Sequence, residues 1–184
     1  RPRALRRPVP GAQPPPPRHQ VGHHTAPEVP GTGGSVLDGL RELAPSGTDI
    51  RHVRGCDLTG GDLSGIPEAI AAAAASDLTV LVLGGSSART PETEFDANGA
   101  AVKAVSEMTC GEGADLAGLR LGAAQYALLD AVVATGTPTV LVLLQGRPHV
   151  VPDAAAGVLT AWYPRPWGGD RLAQVLPGTL GPTG

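Results

Sequence analysis

"LTVLVLGGSS", residues 78–87, is apolar over its first six positions except for Thr79, and then opens into Gly84 and Gly85. A strand with one wet face alternates apolar and polar residues. An unbroken apolar run bounded by glycine instead reads as a strand covered on both faces, which is the habit of parallel sheets. The pattern returns in "TPTVLVLLQGRP", residues 137–148, closed by Gly146 and Pro148. Between the two, "GAAQYALLDAVVATG" sets Ala124, Leu128, Leu129, Val132 and Val133 on one helical face and stops at Gly136. "IPEAIAAAAASD", residues 66–77, is a strong helix former with Pro67 tolerated in its first turn. Helix, apolar strand, loop, helix, apolar strand predicts an α/β fold: a mostly parallel sheet with helices on both faces, an α/β sandwich.

Working outward, "SVLDGLRELAP" offers Ser35 as an N-cap and Pro45 as a stop. "TDIRHVRG", residues 48–55, alternates and predicts a short strand, and "CDLTGGDLSG" predicts turns. "AAGVLTAWYP" reads as a shorter strand and "GGDRLAQVLPG" as a closing helix. Residues 1–34 differ. They are rich in Arg and Pro, with four prolines in a row at Pro14 to Pro17, and proline lacks the N–H that helices and central strands need. The expected organisation is a disordered or irregular Pro-rich segment over 1–34 and one α/β domain over 35–184.

The bulk numbers set limits. A chain of 184 residues has length for one domain with a sizeable core, and a net charge of −3 gives no reason to expect nucleic acid or an anionic membrane as partner. Aromatics are 3% of the chain, so the core must be aliphatic and built from small side chains. Cys56 and Cys110 form neither a disulfide framework nor a metal-spaced pattern and are expected as reduced, partly buried thiols. No apolar run approaches the ~18 residues of a membrane span, and the basic N-terminus has no apolar signal-like core, so the expected location is the cytoplasm. His23 and His24 are adjacent, point to opposite sides of an extended chain and have no third ligand at useful spacing. No metal or organic cofactor is implied.

In parallel α/β sheets ligands gather outside the carboxyl ends of the strands. Three loops fall there: 84–122, 145–148 and 163–169. Connections in such domains usually run to ~2–6 residues, so the first is anomalous and marks function or disorder. It carries Arg89, Glu92, Glu94, Asp96, Glu107 and Glu112, each of which taken singly is a solvated loop charge. "GGSS" lacks the Lys of a P-loop and the spacing of a dinucleotide fingerprint. In "EMTCGEGADLAGLRL", residues 107–121, Glu112 stands between Gly111 and Gly113, an arrangement that suits either a solvated turn or an arm that must carry a carboxyl group to something else.

Blocks along the chain carry a resemblance: "VLDGLRE", "RGCDLTGGD", "AAAAASDLTVLVLGG", "GEGADLAGLRLGAAQYALLDAVVATGTPTVLVLLQGRP" and "VLTAWYP…GGDRLAQVLPGTLGPTG". From about His19 to the end, the chain resembles the C-terminal α/β-sandwich domain of glycoside hydrolase family 3, the retaining exo-β-glycosidases, in particular the bacterial β-glucosidase/β-xylosidase branch. The most specific elements are the Gly-Glu-Gly-x-Asp loop leading into a Gln-bearing helix and the Ala-Trp-Tyr-Pro followed by Gly-Gly. The resemblance implies a carbohydrate substrate with terminal β-linked sugars. It also implies an Asp nucleophile on a separate (β/α)8 barrel, and a general acid/base Glu brought by a mobile loop of this domain. A retaining glycosidase needs its two carboxyl groups only about 5–5.5 Å apart, and glycines let such a loop cross a domain interface without strain. By match to the motif Glu112 is the acid/base, with Glu94 as runner-up. Arg89, Asp115 and Trp167 are candidate substrate contacts. The chain alone is expected to be inactive, because one carboxylate without its partner cannot form the glycosyl-enzyme. The reading from a different class is a non-catalytic α/β scaffold or carbohydrate-binding module.

Several positions depart from the family pattern. Asp115 is followed by Leu116 where the family often has Asp-Arg, so a loop-bracing ion pair is expected to be missing. Leu121 is followed by Gly122 where Leu-Pro is usual, and Arg165, Pro166 and Trp167 intervene after Pro164 where a Gly is usual. The first ~18 residues match nothing in the domain, as a shifted reading frame or a misplaced gene start would produce. Trp162, at the end of a strand, is expected to serve packing, with a sugar platform as the alternative. Arg147, at the end of a central strand, is expected to orient the loop or bind an acidic neighbour, and Gln125 to cap or pack at the helix start.

Overall fold

The computed structural model describes residues 34–87, 93–103, 108–111, 113–164 and 168–183. Residues 1–33, Arg89, Glu92, Glu107, Glu112 and Trp167 lie outside the described residues. Nine elements follow in order among the described residues: α1 (Val36–Leu43), α2 (Ile66–Ala74), β1 (Thr79–Gly84), β2 (Glu94–Phe95), β3 (Ala101–Lys103), α3 (Ala123–Val133), β4 (Thr139–Leu144), β5 (Gly157–Trp162) and α4 (Gly168–Val175).

The two apolar runs pair in parallel, residue for residue, from Thr79 with Thr139 to Gly84 with Leu144. β5 adds on the far side of β4, also parallel, with a register shift between Leu143 and Leu144, so the sheet order is β1-β4-β5. Period-two alternation then sends Leu81, Leu83, Leu141 and Leu143 to one face, where α2 and α3 cover them with Ala69, Ala72, Ala73, Leu128, Leu129 and Val132. Val80, Val142 and Leu144 face the other side under Val36 of α1 and Leu172 of α4. Both faces of β1 and β4 are dry, which is why these two strands read as unbroken apolar runs, whereas β5 alternates partly buried and exposed residues. Leu81, Leu128, Leu129, Leu141 and Leu143 are fully buried. Each such side chain contributes about 2 kcal/mol.

The helix ends follow from local chemistry. Ser35 Oγ accepts the Asp38 N–H at 3.2 Å, while Asp38 Oδ2 accepts the Ser35 N–H at 2.9 Å, a reciprocal cap that also holds the Asp38 carboxyl below its usual range. α1 and α4 approach through glycines: a Cβ on Gly39 would lie 2.8 Å from the Gly169 carbonyl oxygen.

Two expectations are corrected. The stretch 48–55 forms no strand; only Val53 makes a bridge. Gly47 (φ 87°) and Gly55 (φ 73°) take left-handed backbone at its two ends and bound whatever pairing it makes. The 84–122 connection is also not bare loop. β2 and β3 pair antiparallel around a turn in which Asp96 Oδ1 accepts the N–H groups of Asn98 (2.9 Å) and Ala100 (2.8 Å), with Gly99 at φ 82°. No helix among the described residues is long and apolar enough to cross a membrane.

Candidate active site

The three loops expected to meet at the carboxyl edge of the sheet do meet there. β1 runs out into Gly85, whose N–H donates to the Leu144 carbonyl at 2.9 Å, and then into the buried Ser86 and Ser87. The Ser86 carbonyl accepts from the N–H groups of Thr109 (2.8 Å) and Cys110 (3.2 Å), and the Ser86 N–H donates to Thr109 Oγ1 at 3.0 Å. The far end of the long loop is thereby stitched back onto the end of β1. Gly85 is required by this arrangement, since any Cβ would overlap Thr109 Oγ1.

From β5 comes Tyr163. Its hydroxyl lies 3.2 Å from Cys110 Sγ, and burial, followed by the thiol contact, pushes the phenol well above its ordinary range. Gly146, beyond β4, leaves the space for both groups: a Cβ there would come within 2.7 Å of Tyr163 Cε2 and 3.0 Å of Cys110 Sγ. Buried Gln145 pairs its Oε1 with His149 Nδ1 at 2.8 Å. An amide oxygen only accepts, so the imidazole carries its proton on Nδ1, and burial holds His149 below its ordinary pKa. Cys56 and Cys110 are free and buried, as expected, with the Cys56 thiol pushed up to about 11 chiefly by burial.

The Gly-Glu-Gly element closes between residues on either side of Glu112. Gly111 and Ala114 form an antiparallel bridge, with the Ala114 N–H donating to the Gly111 carbonyl at 3.2 Å. Gly111 (φ 128°) and Gly113 (φ 76°) both take backbone that side-chain-bearing residues avoid, which accounts for the flanking glycines. Immediately after the turn, Asp115 binds Arg147 through an ion pair, and Arg147 Nη2 reaches the Ala114 carbonyl at 3.5 Å. The guanidinium holds the Asp115 carboxyl below the usual carboxylate range. The expected absence of a loop-bracing ion pair is therefore corrected: Arg147, 32 residues away in sequence, supplies the cation that position 116 lacks.

Of the sequence-derived candidates, Asp115 stands at this edge, engaged with Arg147 and otherwise exposed. Glu94 lies on the exposed hairpin strand β2. Glu112, Arg89 and Trp167 are outside the described residues. Trp162 departs from the packing expected of it. Its indole is 51% exposed, and it holds φ 53°, the only positive φ at a non-glycine residue among those described. Backbone in that region costs on the order of 1–3 kcal/mol and concentrates at functional edges. Among the described residues no group of three or more His, Cys, Asp or Glu side chains could hold a metal ion.

A parallel α/β sandwich whose strand-end loops converge on a glycine-flanked turn defines a domain class in which the chemistry sits on the loops. The model of the glycosyl hydrolase family 3 C-terminal domain matches residues 9–184, and the chain belongs to that family. It is 35% identical over 153 residues to a β-xylosidase of Formosa agariphila, covering 82% of this chain and 18% of that protein. It is 31% identical over 173 residues to the lysosomal beta glucosidase of Dictyostelium discoideum, covering 90% and 18%. Among solved structures, a β-glucosidase from Listeria innocua in complex with isofagomine superposes with a TM-score of 0.74 at 25% identity, over 96% of this chain and 22% of that one. A family 3 β-glucosidase of Bifidobacterium adolescentis gives 0.68 at 28% identity, over 96% and 23%. The chain thus spans about a fifth of the length of these relatives.

Proposed function

We propose that this domain supplies the general acid/base of a retaining exo-β-glycosidase acting on terminal β-linked glucosyl or xylosyl residues, and that Glu112 is that group. The observation that supports the reading is the closure of the Gly111–Ala114 turn at the carboxyl edge of the sheet, the edge where ligands of such sheets gather. The nucleophile is an Asp on a (β/α)8 barrel belonging to the part of the protein that this chain does not span. Glu112 first protonates the departing glycosidic oxygen. It then takes a proton from the water that hydrolyses the glycosyl-enzyme. Its pKa would be raised by the sugar, which excludes water, and by the second carboxylate. Asp115 follows this turn directly, and with Arg89 and Trp167, which belong to the sequence segments 84–122 and 163–169, it is a candidate contact to the sugar.

The test is reconstitution with the barrel, by fusion or by mixing. The 184-residue chain alone should not cleave an aryl β-glycoside, and the reconstituted protein should. Glu112→Ala should lower the rate on the order of 10²–10⁴-fold, with partial rescue by azide when the leaving group is good. Wild-type behaviour of Glu112→Ala together with loss of activity in Glu94→Ala would move the assignment to Glu94.

A further inference from the structure

The turn between Gly111 and Ala114 is gripped from both sides by groups that follow other strands. On the leading side the Ser86 carbonyl holds Thr109 and Cys110, and the Tyr163 hydroxyl meets Cys110 Sγ at 3.2 Å. On the trailing side Arg147 holds Asp115 and the Ala114 carbonyl. We propose that Tyr163 and Arg147 are positioning residues, which fix the two stems of this turn against the ends of β5 and β4 so that the group carried between them is presented at one place. The catalytic part of this inference rests on the reading of Glu112 as acid/base.

Magnitudes separate positioning from mere stabilisation. Arg147 and Asp115 are 40% and 88% exposed. An ion pair so exposed adds little to folding, because solvent screens it. Stability therefore gives little reason for a contact that spans two loops. For orientation it counts heavily, because a displacement of about 1 Å at a catalytic group costs on the order of 10²-fold in rate. On the other side, Gly146 has no Cβ, and the room this leaves is filled by the Tyr163 ring and the thiol together. The two grips come from separate strands, so neither replaces the other.

Two measurements test this. In the present chain, peptide-resolved alkylation of Cys110, which is 2% exposed, reports opening of the leading stem, with Cys56 as internal reference. Tyr163→Phe and Arg147→Gln should each raise the Cys110 rate on the order of tenfold, while Cys56 and the urea midpoint stay close to wild type. Unchanged Cys110 labelling in both variants overturns the grip, whatever Glu112 does. In the complete glycosidase carrying this domain, both variants should slow hydrolysis of alkyl glycosides, which need a proton on the leaving oxygen, by about 10–100-fold. Dinitrophenyl glycosides, whose leaving group needs no proton, should keep nearly the wild-type kcat/KM, which reports formation of the glycosyl-enzyme alone. Arg147→Lys should recover part of the loss. Equal slowing of both substrate classes in kcat/KM overturns the positioning role. If Glu112→Ala is itself indifferent to the leaving group, the acid/base assignment falls and takes the catalytic part of this inference with it, while the labelling result still decides the grip.

Discussion

The Gln125 side chain holds both backbone polar groups of Gly84: its Oε1 accepts the Gly84 N–H at 2.9 Å and its Nε2 donates to the Gly84 carbonyl at 2.9 Å. The same Nε2 donates to the Leu58 carbonyl at 3.0 Å. Gly84, in register with Leu144, has φ 147° and no room for a Cβ against it, and its own N–H and carbonyl need partners in the interior. Gln125, 3% exposed at the start of α3, satisfies them and ties helix to strand at the edge where the loops depart.

Gln125→Leu keeps the volume and removes all three bonds. Each buried backbone group left without a partner costs about 1–3 kcal/mol. The expected loss is about 3 kcal/mol, read from urea denaturation of the chain. Gln125→Glu should also destabilise, since a carboxylate cannot donate to the Gly84 and Leu58 carbonyls. A change below about 0.5 kcal/mol for both would mean that water substitutes for the amide.

Gly39→Ala sets two effects against each other. In an exposed helix interior the change stabilises by about 1 kcal/mol. Here the new methyl would stand 2.8 Å from the Gly169 carbonyl oxygen and 3.0 Å from Ala173 Cβ, at the crossing of α1 and α4. Overpacking of that kind costs about 1–3 kcal/mol and should win. The melting temperature should fall, whereas Gly61→Ala, with no atom near its Cβ position, should leave it unchanged.

Different parts of this molecule were legible to different degrees, for physical reasons. β1 and β4 announce themselves because both of their faces are covered, so no polar position interrupts the run. Ser35, Pro45 and Gly136 mark helix ends through local chemistry that needs no tertiary partner. The strand expected over 48–55 is reduced to a single bridge at Val53, since alternation alone does not fix how many residues pair. The β2–β3 hairpin was overlooked although "DANGA" states it: Asp96 builds the turn and Gly99 supplies the left-handed residue. That Arg147 would bind an acidic neighbour could be read, but not that the neighbour is Asp115, since 32 residues separate the two and only the folded sheet edge brings them together. The position of the Gly111–Ala114 turn at that edge could be read, because it follows from the order of strands and loops.

Acid should weaken the fold in two stages. Burial lowers the His149 pKa from its ordinary value of 6.5. Above about 6.5 the imidazole is neutral in both states and the folded form keeps its full advantage. Below that, the unfolded chain takes up a proton that the folded one refuses, and stability drops until pH passes the depressed folded value. Asp38, lowered by its bonds to Ser35 from an ordinary 3.8, adds a second loss as pH falls below 3.8. Urea midpoints measured across this range should decline first in the His149 window. His149→Gln should flatten that first stage and leave the second in place. An unaltered profile in the variant would assign the first stage to another group.

Gly122 offers a test of how far the family pattern can be restored. The position precedes α3 with φ −56° and ψ 150°, backbone that proline adopts by itself. Among the described residues its N–H donates to no backbone carbonyl, and its carbonyl, which accepts the Tyr126 N–H at 3.1 Å, would be unaffected by a ring. Added atoms at its Cβ position meet only the Leu58 oxygen at 3.8 Å and Gln125 Nε2 at 3.9 Å, which are ordinary contacts. Gly122→Pro should therefore stabilise the chain by about 0.4–1 kcal/mol, through the lower entropy of the unfolded state. The gain should appear in the urea midpoint with an unchanged slope. A loss instead would show that Leu121, buried just before it, cannot take the extended backbone that a following proline demands.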